Sequence, residues 1–302
     1  MDPRAPRHVI PDLTPLAQPM REQVERHFRT PEKHGPEHQV WNYWYVPDSY
    51  TYLRTTPDKV IERRLVEPFV AQITQLAVTQ LGMDHVTWPF LSLYVDGCGQ
   101  ALHNDSRNGS IGYVFSLTKW DERKFSGGET MLFHEQDYWG TGQFTSIGAT
   151  SSFYDLVPAR FNQLLLFDDR VPHSVPTVRG VVDPCDGRIV MHGHITARRV
   201  IAHGPLQRPE HADSAGAHKL AEVHQQITQG FRGRVHGVAT FEMKVGADGA
   251  VHGVRTLVDR ILPLPGSSDA SALVAHIDEQ LSTLRFNPAE GESTLAVPFV
   301  FQ

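Results

Sequence analysis

Cysteine is nearly absent: Cys98 and Cys185 are the only two in 302 residues. A disulfide-stapled framework is excluded, and a thiolate-rich metal site has too few ligands. Such sparing use of cysteine fits a reducing compartment, and a cytoplasmic location is expected. A basic excess is missing as well. Lys and Arg number 28 against 34 Asp and Glu, a formal net charge of −6. Nothing in that balance neutralises a phosphate backbone, so no nucleic-acid partner is expected. Long apolar runs are also lacking. No stretch approaches the ~20 residues of a membrane span. The N-terminal MDPRAPRHVIPDLTPLAQPMREQVERHF has no apolar core of a signal peptide, so neither a membrane partner nor a leader is expected. What the chain does have is 40% hydrophobic residues, enough for a sizeable core, and 17 histidines. Imidazole is the commonest metal-ligating side chain, so the histidines direct the search to ligand spacing.

Residues 1–40 are rich in proline and charge and read as loosely structured, with one short helix near Met20–Phe28. The aromatics Trp41, Tyr43, Trp44, Tyr45, Tyr50 and Tyr52 read as a strand packed on the core; the alternative is a substrate-lining role. Between Pro57 and Leu81 the apolar spacing (Val60, Ile61, Leu65, Val66, Phe69, Val70, Ile73, Leu76, Ala77) predicts a helix, with Gly82 placed for its C-cap. From Trp88 to about Ile195 the pattern changes to short apolar runs (FLSLYV, GYVFSLT, ETMLF, QLLLF, RIVMHGHI) separated by Gly/Asp/Asn turns. That alternation predicts an antiparallel sandwich or barrel. A polar, Pro/Gly-containing stretch around Ala202–Ser214 reads as a linker. After it come a helix (Ala217–Phe231), two strands around the turn GADG, a helix (Ala270–Leu284) and a last strand, TLAVPFVF. The expected organisation is a mainly β domain with flanking helices over 1–203 (core about 88–196), a linker over 204–216, and a small α+β domain over 217–302.

The segment with most chemistry is Leu91–Asp105, LSLYVDGCGQALHND. His103 and Asp105 are two apart, and on a strand such positions project to one face and reach one metal ion. Alone, a His-x-Asp pair is weak. His173, in FNQLLLFDDRVPHSVPTV, is the best third ligand. Two histidines and one carboxylate on one side of a metal leave the other positions open, the facial arrangement of non-haem Fe(II) oxygenases. Arg188, in DGRIVMHGHI, lies in an apolar strand where an unpaired charge is costly. Its fork suits a carboxylate, and the far end of 2-oxoglutarate is the candidate partner. The alternative is a structural pairing with Asp183 or Asp186.

These segments resemble the Fe(II)/2-oxoglutarate-dependent dioxygenases, in the prolyl 4-hydroxylase-like group. The matching pieces are YVDGCGQALHND, YVFSLTKWDERKFSGGETMLF, FNQLLLFDDRVPHSV and GRIVMHGHI, in order, over roughly Trp88–Ile195. The resemblance implies a double-stranded β-helix (jelly-roll) fold. It implies iron held by His103, Asp105 and His173, 2-oxoglutarate by Arg188, and molecular oxygen as the oxidant. It also implies decarboxylation of 2-oxoglutarate to succinate, coupled to hydroxylation or another oxidation of a C–H bond in an amino-acid, peptidyl or natural-product substrate. Tyr94 matches a tyrosine near the co-substrate and reads equally well as a core tyrosine. Gly127, Gly128 and Glu129 match a Gly-Gly-Glu stretch and read as backbone geometry. Two departures stand out: Val190 replaces a Ser or Thr two residues after the basic residue, and Phe161–Asn162 replaces a Gly before the distal-His strand.

His192 and His194 share the strand face of Arg188 by parity. His192 is a candidate for the co-substrate cavity, and His194 reads as structural. His134 reads as a surface residue. Asp168 and Asp169 read as turn residues, with Asp169 a candidate partner for a ligating imidazole. The C-terminal segment GVATFEMKVGADGAVHGVRTLV…LSTLRFNPAEGESTLAVPFVF resembles the TonB C-terminal-like domains. That resemblance implies a protein- or peptide-binding module, against the alternative of a cap on the oxygenase. Two rival functions remain open: a metal-dependent cupin that does not use 2-oxoglutarate, with His192-x-His194 as its pattern, and a non-catalytic binding protein on a jelly-roll fold.

Overall fold

The computed structural model describes residues 1–30, 39–134, 153–211, 214–264 and 270–301. Its strands fall on the apolar runs. In chain order they are β1 (Arg7–Ile10), β2 (Asn42–Val46), β3 (Tyr50–Thr55), β4 (His85–Val86), β5 (Phe90–Tyr94), β6 (Gly99–His103), β7 (Ile111–Ser116), β8 (Thr130–Phe133), β9 (Tyr154–Val157), β10 (Leu164–Asp168), β11 (His173–Val175) and β12 (Arg188–Thr196). From β5 onward the order is β10-β7-β12-β5 in one set and β6-β11-β8-β9 in the other. Counting β5 to β12 as first to eighth, the sets read six-three-eight-one and two-seven-four-five. That interleaving is the strand order of a jelly roll. The chain is therefore mainly β, with the expected double-stranded β-helix at its centre.

β3 links the two sets by pairing with both β5 and β6, and β2 pairs with β3. β1 pairs antiparallel with β10 from Arg7↔Phe167 to Ile10↔Leu164. This corrects the expectation that residues 1–40 are loosely structured, of which 31–38 lie outside the described residues. A four-residue edge strand between prolines is too short for period-two alternation to register. Helix α1 (Ala17–Arg29) extends the expected helix at both ends and buries Ala17, Met20, Arg21 and Val24. Its Arg21 is 1% exposed. The guanidinium donates to the Leu117 carbonyl at 2.8 Å, to the Cys185 carbonyl, and to Glu25 at 2.9 Å. Helix α2 (Arg63–Leu76) continues as a π-helical turn over Ala77–Leu81 and ends at Gly82 with φ of 62°, the left-handed cap its position implied.

The described residues form two compact units. One consists of Pro6–Gln72 and Thr87–His194 and holds the jelly-roll strands. The other takes in Met1–Ala5, Ile73–Val86 and everything from Ile195, well before the expected linker. Its sheet has the order β13-β16-β14-β15, built from β13 (Ile201–His203), β14 (Val235–Val245), β15 (Val251–Pro263) and β16 (Ser293–Phe301). Helices α3 (Ala215–Gly230) and α4 (Ala270–Ser282) bury Leu220, Val223, Ile227, Leu273, Ile277 and Leu281 in one core with Phe241 and Phe299. Ser214 caps α3 by accepting from the Ala217 N–H at 3.3 Å. The 73–86 segment belongs here through specific contacts. Thr240 Oγ1 donates to the Leu81 carbonyl at 2.6 Å, and a Cβ on Gly82 would sit 3.0 Å from Leu257. Residues 212–213 of the expected linker lie outside the described residues. Among the described residues, no helix is long and apolar enough to cross a membrane.

Candidate functional site

The pairing of β6 with β11 places His103 directly opposite His173. Their rings lie 4.3 Å apart between centroids. Asp105 differs from expectation in how it gets there. β6 ends at His103, so strand alternation does not carry Asp105 to the site. A turn does: the Asp105 N–H donates to the Asp169 carbonyl at 2.7 Å, and Asn108 donates to Asp105 through its backbone N–H at 2.8 Å and its side-chain amide at 2.9 Å. Asp105 Oδ2 thereby lies 3.4 Å from His173 Nε2. Donor atoms of His103, Asp105 and His173 all fall within 4.8 Å of one another.

Each imidazole is fixed by the carbonyl two residues before it. His103 Nδ1 is 2.8 Å from the Ala101 oxygen, and His173 Nδ1 is 2.9 Å from the Val171 oxygen. A carbonyl only accepts, so Nδ1 carries the proton and Nε2 keeps its lone pair toward the cavity. Burial and the neighbouring His173 lower the His103 pKa, which keeps it neutral. Burial works to raise the Asp105 pKa, but the His173 hydrogen bond and three nearby imidazoles bring it down to about 2. Neutral imidazole and ionised carboxylate are the forms a metal requires. Two nitrogens and one hard oxygen, with no thiolate, fit Fe(II) in a facial arrangement.

Arg188 opens β12 and is 2% exposed. Its Nη2 donates to Thr130 Oγ1 at 3.2 Å, and its guanidinium lies 4.7 Å over the Tyr94 ring. Nε has no hydrogen-bond partner, and no carboxylate pairs with Arg188 among the described residues. Both acids that were alternatives are engaged elsewhere: Asp183 accepts from the Cys185 N–H at 2.8 Å, and Asp186 pairs with Lys124 at 2.8 Å. Space for the arginine depends on Gly128, whose added Cβ would come within 3.3 Å of Arg188 Cδ. Gly127 and Gly128 both have positive φ, 74° and 79°, in keeping with a backbone role. Asn162 takes the left-handed conformation at φ of 59°, at the point where the resemblance led one to look for Gly. Val190 is buried and lines the cavity.

Tyr94 is 1% exposed, donates to Gln100 Oε1 at 2.9 Å and stacks on Tyr52 with centroids 5.1 Å apart. Burial raises its pKa, so it stays a neutral phenol. His192 Nε2 lies 2.8 Å from Ser92 Oγ, and burial takes its pKa down to about 3. One cavity is lined by Tyr94, His103, Asp105, His173, Arg188 and His192 together. A second group, Asp105, Asp169 and His194, is not anticipated from residue spacing; its donor atoms also lie within 4.8 Å of one another. Asp169 is fully buried and its Oδ2 lies 2.9 Å from His194 Nδ1, so it partners that imidazole rather than His103 or His173. Burial raises its pKa to about 6 against the opposing His194 bond. Asp168 pairs with Arg170, and half-buried His134 pairs with Asp155 at 3.0 Å.

The aromatic segment divides in two. β3 faces the site: the Tyr50 ring is 5.3 Å from His103, and Tyr52 is 3% exposed. β2 does not pack on a core, contrary to expectation. All its residues are exposed, Tyr43 by 63% and Tyr45 by 58%. Among the described residues it pairs only with β3, as the outer arm of a hairpin, and composition alone does not separate such an arm from a core strand.

No family profile and no curated protein sequence matches the chain. Solved structures do resemble it. A Pseudomonas putida prolyl-4-hydroxylase is 16% identical, with 64% of this chain and 92% of that one covered at a TM-score of 0.44. The non-haem α-ketoglutarate-dependent epimerase SnoN of nogalamycin biosynthesis is 11% identical over 62% and 76% at 0.43. AviO1 from Streptomyces viridochromogenes is 17% identical over 63% and 90% at 0.42. At that level of likeness the chemistry has to come from the site's own atoms. The TonB-like resemblance of the C-terminal segment finds no support in these comparisons.

Proposed function

We propose that the chain is an Fe(II)- and 2-oxoglutarate-dependent oxygenase. The observation that carries this reading is the Arg188 guanidinium: fully buried, in no ion pair among the described residues, and lining the same cavity as a His–Asp–His donor set. A buried cation without a counter-charge is costly, and a carboxylate ligand relieves that cost. His103 and His173 would hold the metal through Nε2 and Asp105 through its carboxylate. Arg188, helped by the Thr130 hydroxyl, would receive the far carboxylate of 2-oxoglutarate with a two-pronged bond. Tyr94 and the neutral His192 would close the cavity walls and keep bulk water from the reacting atoms. Loaded with iron, 2-oxoglutarate and oxygen, such a centre supplies oxidative decarboxylation to succinate coupled to oxidation of a substrate C–H bond. The substrate class is an amino-acid, peptidyl or natural-product compound. The cupin alternative loses its His192-x-His194 pattern, because His192 belongs to neither group of convergent donor atoms among the described residues. A protein- or peptide-binding role for residues 217–302 belongs to the same proposal, on the strength of their sequence resemblance alone.

The test is an anaerobic titration of Fe(II) and 2-oxoglutarate into the purified protein. A weak visible charge-transfer band of the chelate is expected, absent in His103→Ala and in Asp105→Ala. Full-strength bands in both variants would remove the proposed ligands.

A further inference from the structure

The sheet face that forms the cavity wall extends past it. Arg54 on β3 stands opposite Ser92 on β5, and Ser92 stands opposite Val190 on β12. Directly opposed residues share a face, and so do residues two apart on one strand. Tyr52 and Arg54 therefore lie on the same face as Phe90, Ser92 and Tyr94 and as Arg188, Val190 and His192. Trp44, opposite Tyr52 on β2, joins them.

Arg54 is held in an unusual way. Its guanidinium carbon lies 4.1 Å from the Trp44 ring centre and 4.2 Å from the Phe90 ring centre. Two aromatic rings within cation–π range hold the guanidinium, and its five N–H donors exceed what its hydrogen bond to Tyr52 uses. Arg54 is half-buried, and no Asp or Glu pairs with it among the described residues. Arg54 does not itself line the cavity; it hydrogen-bonds Tyr52, whose ring stacks on that of cavity-lining Tyr94. Phe90 in turn lies 5.9 Å from the His192 ring.

We propose that Arg54 binds the carboxylate of the substrate that is oxidised, which makes that substrate a small organic acid, such as a free amino acid or a derivative with a free carboxylate. This rests on the oxygenase reading above and narrows it. A planar carboxylate offers two oxygens to the remaining N–H donors. The backbone of an internal peptide residue has no such group. Trp44 and Phe90 orient the guanidinium and give the substrate body an apolar rim. The sequence names Trp44 among the aromatics but gives no sign of Arg54, since only the register of three strands brings it to this face.

The experiment uses the full chain with Fe(II) and 2-oxoglutarate under anaerobic conditions. The probes are a panel of free L-amino acids, 2-hydroxy acids and aromatic acids, each beside its primary amide, with binding read by ligand-observed NMR. At least one acid is expected to bind more tightly than its amide by on the order of ten-fold, the worth of one charge-assisted contact at a half-buried site. Arg54→Gln should abolish that preference and leave the 2-oxoglutarate band unchanged; Arg54→Lys should retain part of it. The wild-type comparison of acid with amide needs no variant, so a folding defect in a substituted chain does not blunt it. A normal band with no acid preferred over its amide overturns the proposal and leaves the oxygenase reading standing. Loss of the band in Arg54→Gln would show that Arg54 serves 2-oxoglutarate instead, and also overturns it. Absence of the band in the wild type removes the oxygenase reading and this proposal with it.

Discussion

Glu25 answers three cations at once, Arg29 among them at 3.8 Å. It accepts from the buried Arg21 at 2.9 Å and pairs with Lys119 at 2.6 Å, with its own side chain 15% exposed. Burial pushes its pKa up, but the bonds and charges of Lys119 and Arg21 outweigh that and leave it below the ordinary value of 4.5. A carboxylate with a depressed folded-state pKa contributes stability above its unfolded pKa and loses it as pH falls through the folded one. Melting curves of wild type and Glu25→Gln should therefore differ most above pH ~4.5 and converge in more acidic buffer. A gap that stays constant with pH would show that the ion pairs are not its source. At this scale the sequence was most informative where residue type restricts role. His103, Asp105, His173 and Arg188 were nameable because imidazole, carboxylate and an arginine in an apolar strand each have few uses. Thr130 and Arg54 were not, and Asp169 was named as a candidate partner of a ligating imidazole but bonds His194 instead, because what these residues touch depends on pairings between distant segments.

Strands were legible wherever an apolar run was bounded by turns, as in FLSLY and LLLFD, which became β5 and β10. Failures came at elements whose partners decide their character. β1 is too short to show a pattern, and β2 has the aromatic content of a core strand on an exposed arm. The expected Pro57–Leu81 helix resolves into a 3-10 turn at Pro57–Lys59, α2 and the π-helical turn at Ala77–Leu81. Turn glycines, by contrast, were legible and make a firm prediction. Gly127 has φ of 74°, and a Cβ there would lie 2.2 Å from the Thr177 carbonyl oxygen. Gly127→Ala combines a left-handed backbone with a backbone clash. It should lower unfolding free energy by at least about 2 kcal/mol in denaturant titration. A loss under about 0.5 kcal/mol, the scale of an ordinary surface change, would mean that this turn relaxes freely.

The jelly-roll order joins what the chain keeps apart. His103 and His173 come from β6 and β11 in one strand set and Arg188 from β12 in the other, and the winding of the two sets brings them to one cavity. That convergence is what the account depends on, and Arg188→Gln tests it most directly. Gln keeps an amide donor but loses the charge and the fork. Breaking one side of a buried charge-assisted pair costs about 2–5 kcal/mol, roughly 30- to several-thousand-fold in affinity. The quantity to measure is the 2-oxoglutarate concentration giving half of the maximal chelate band, beside iron affinity and a melting curve. The account predicts that this concentration rises by at least about 30-fold while iron affinity stays near wild type and the melting temperature does not fall. An unchanged 2-oxoglutarate requirement with a lowered melting temperature would contradict it, showing Arg188 to be a structural residue and leaving a metal site of different chemistry.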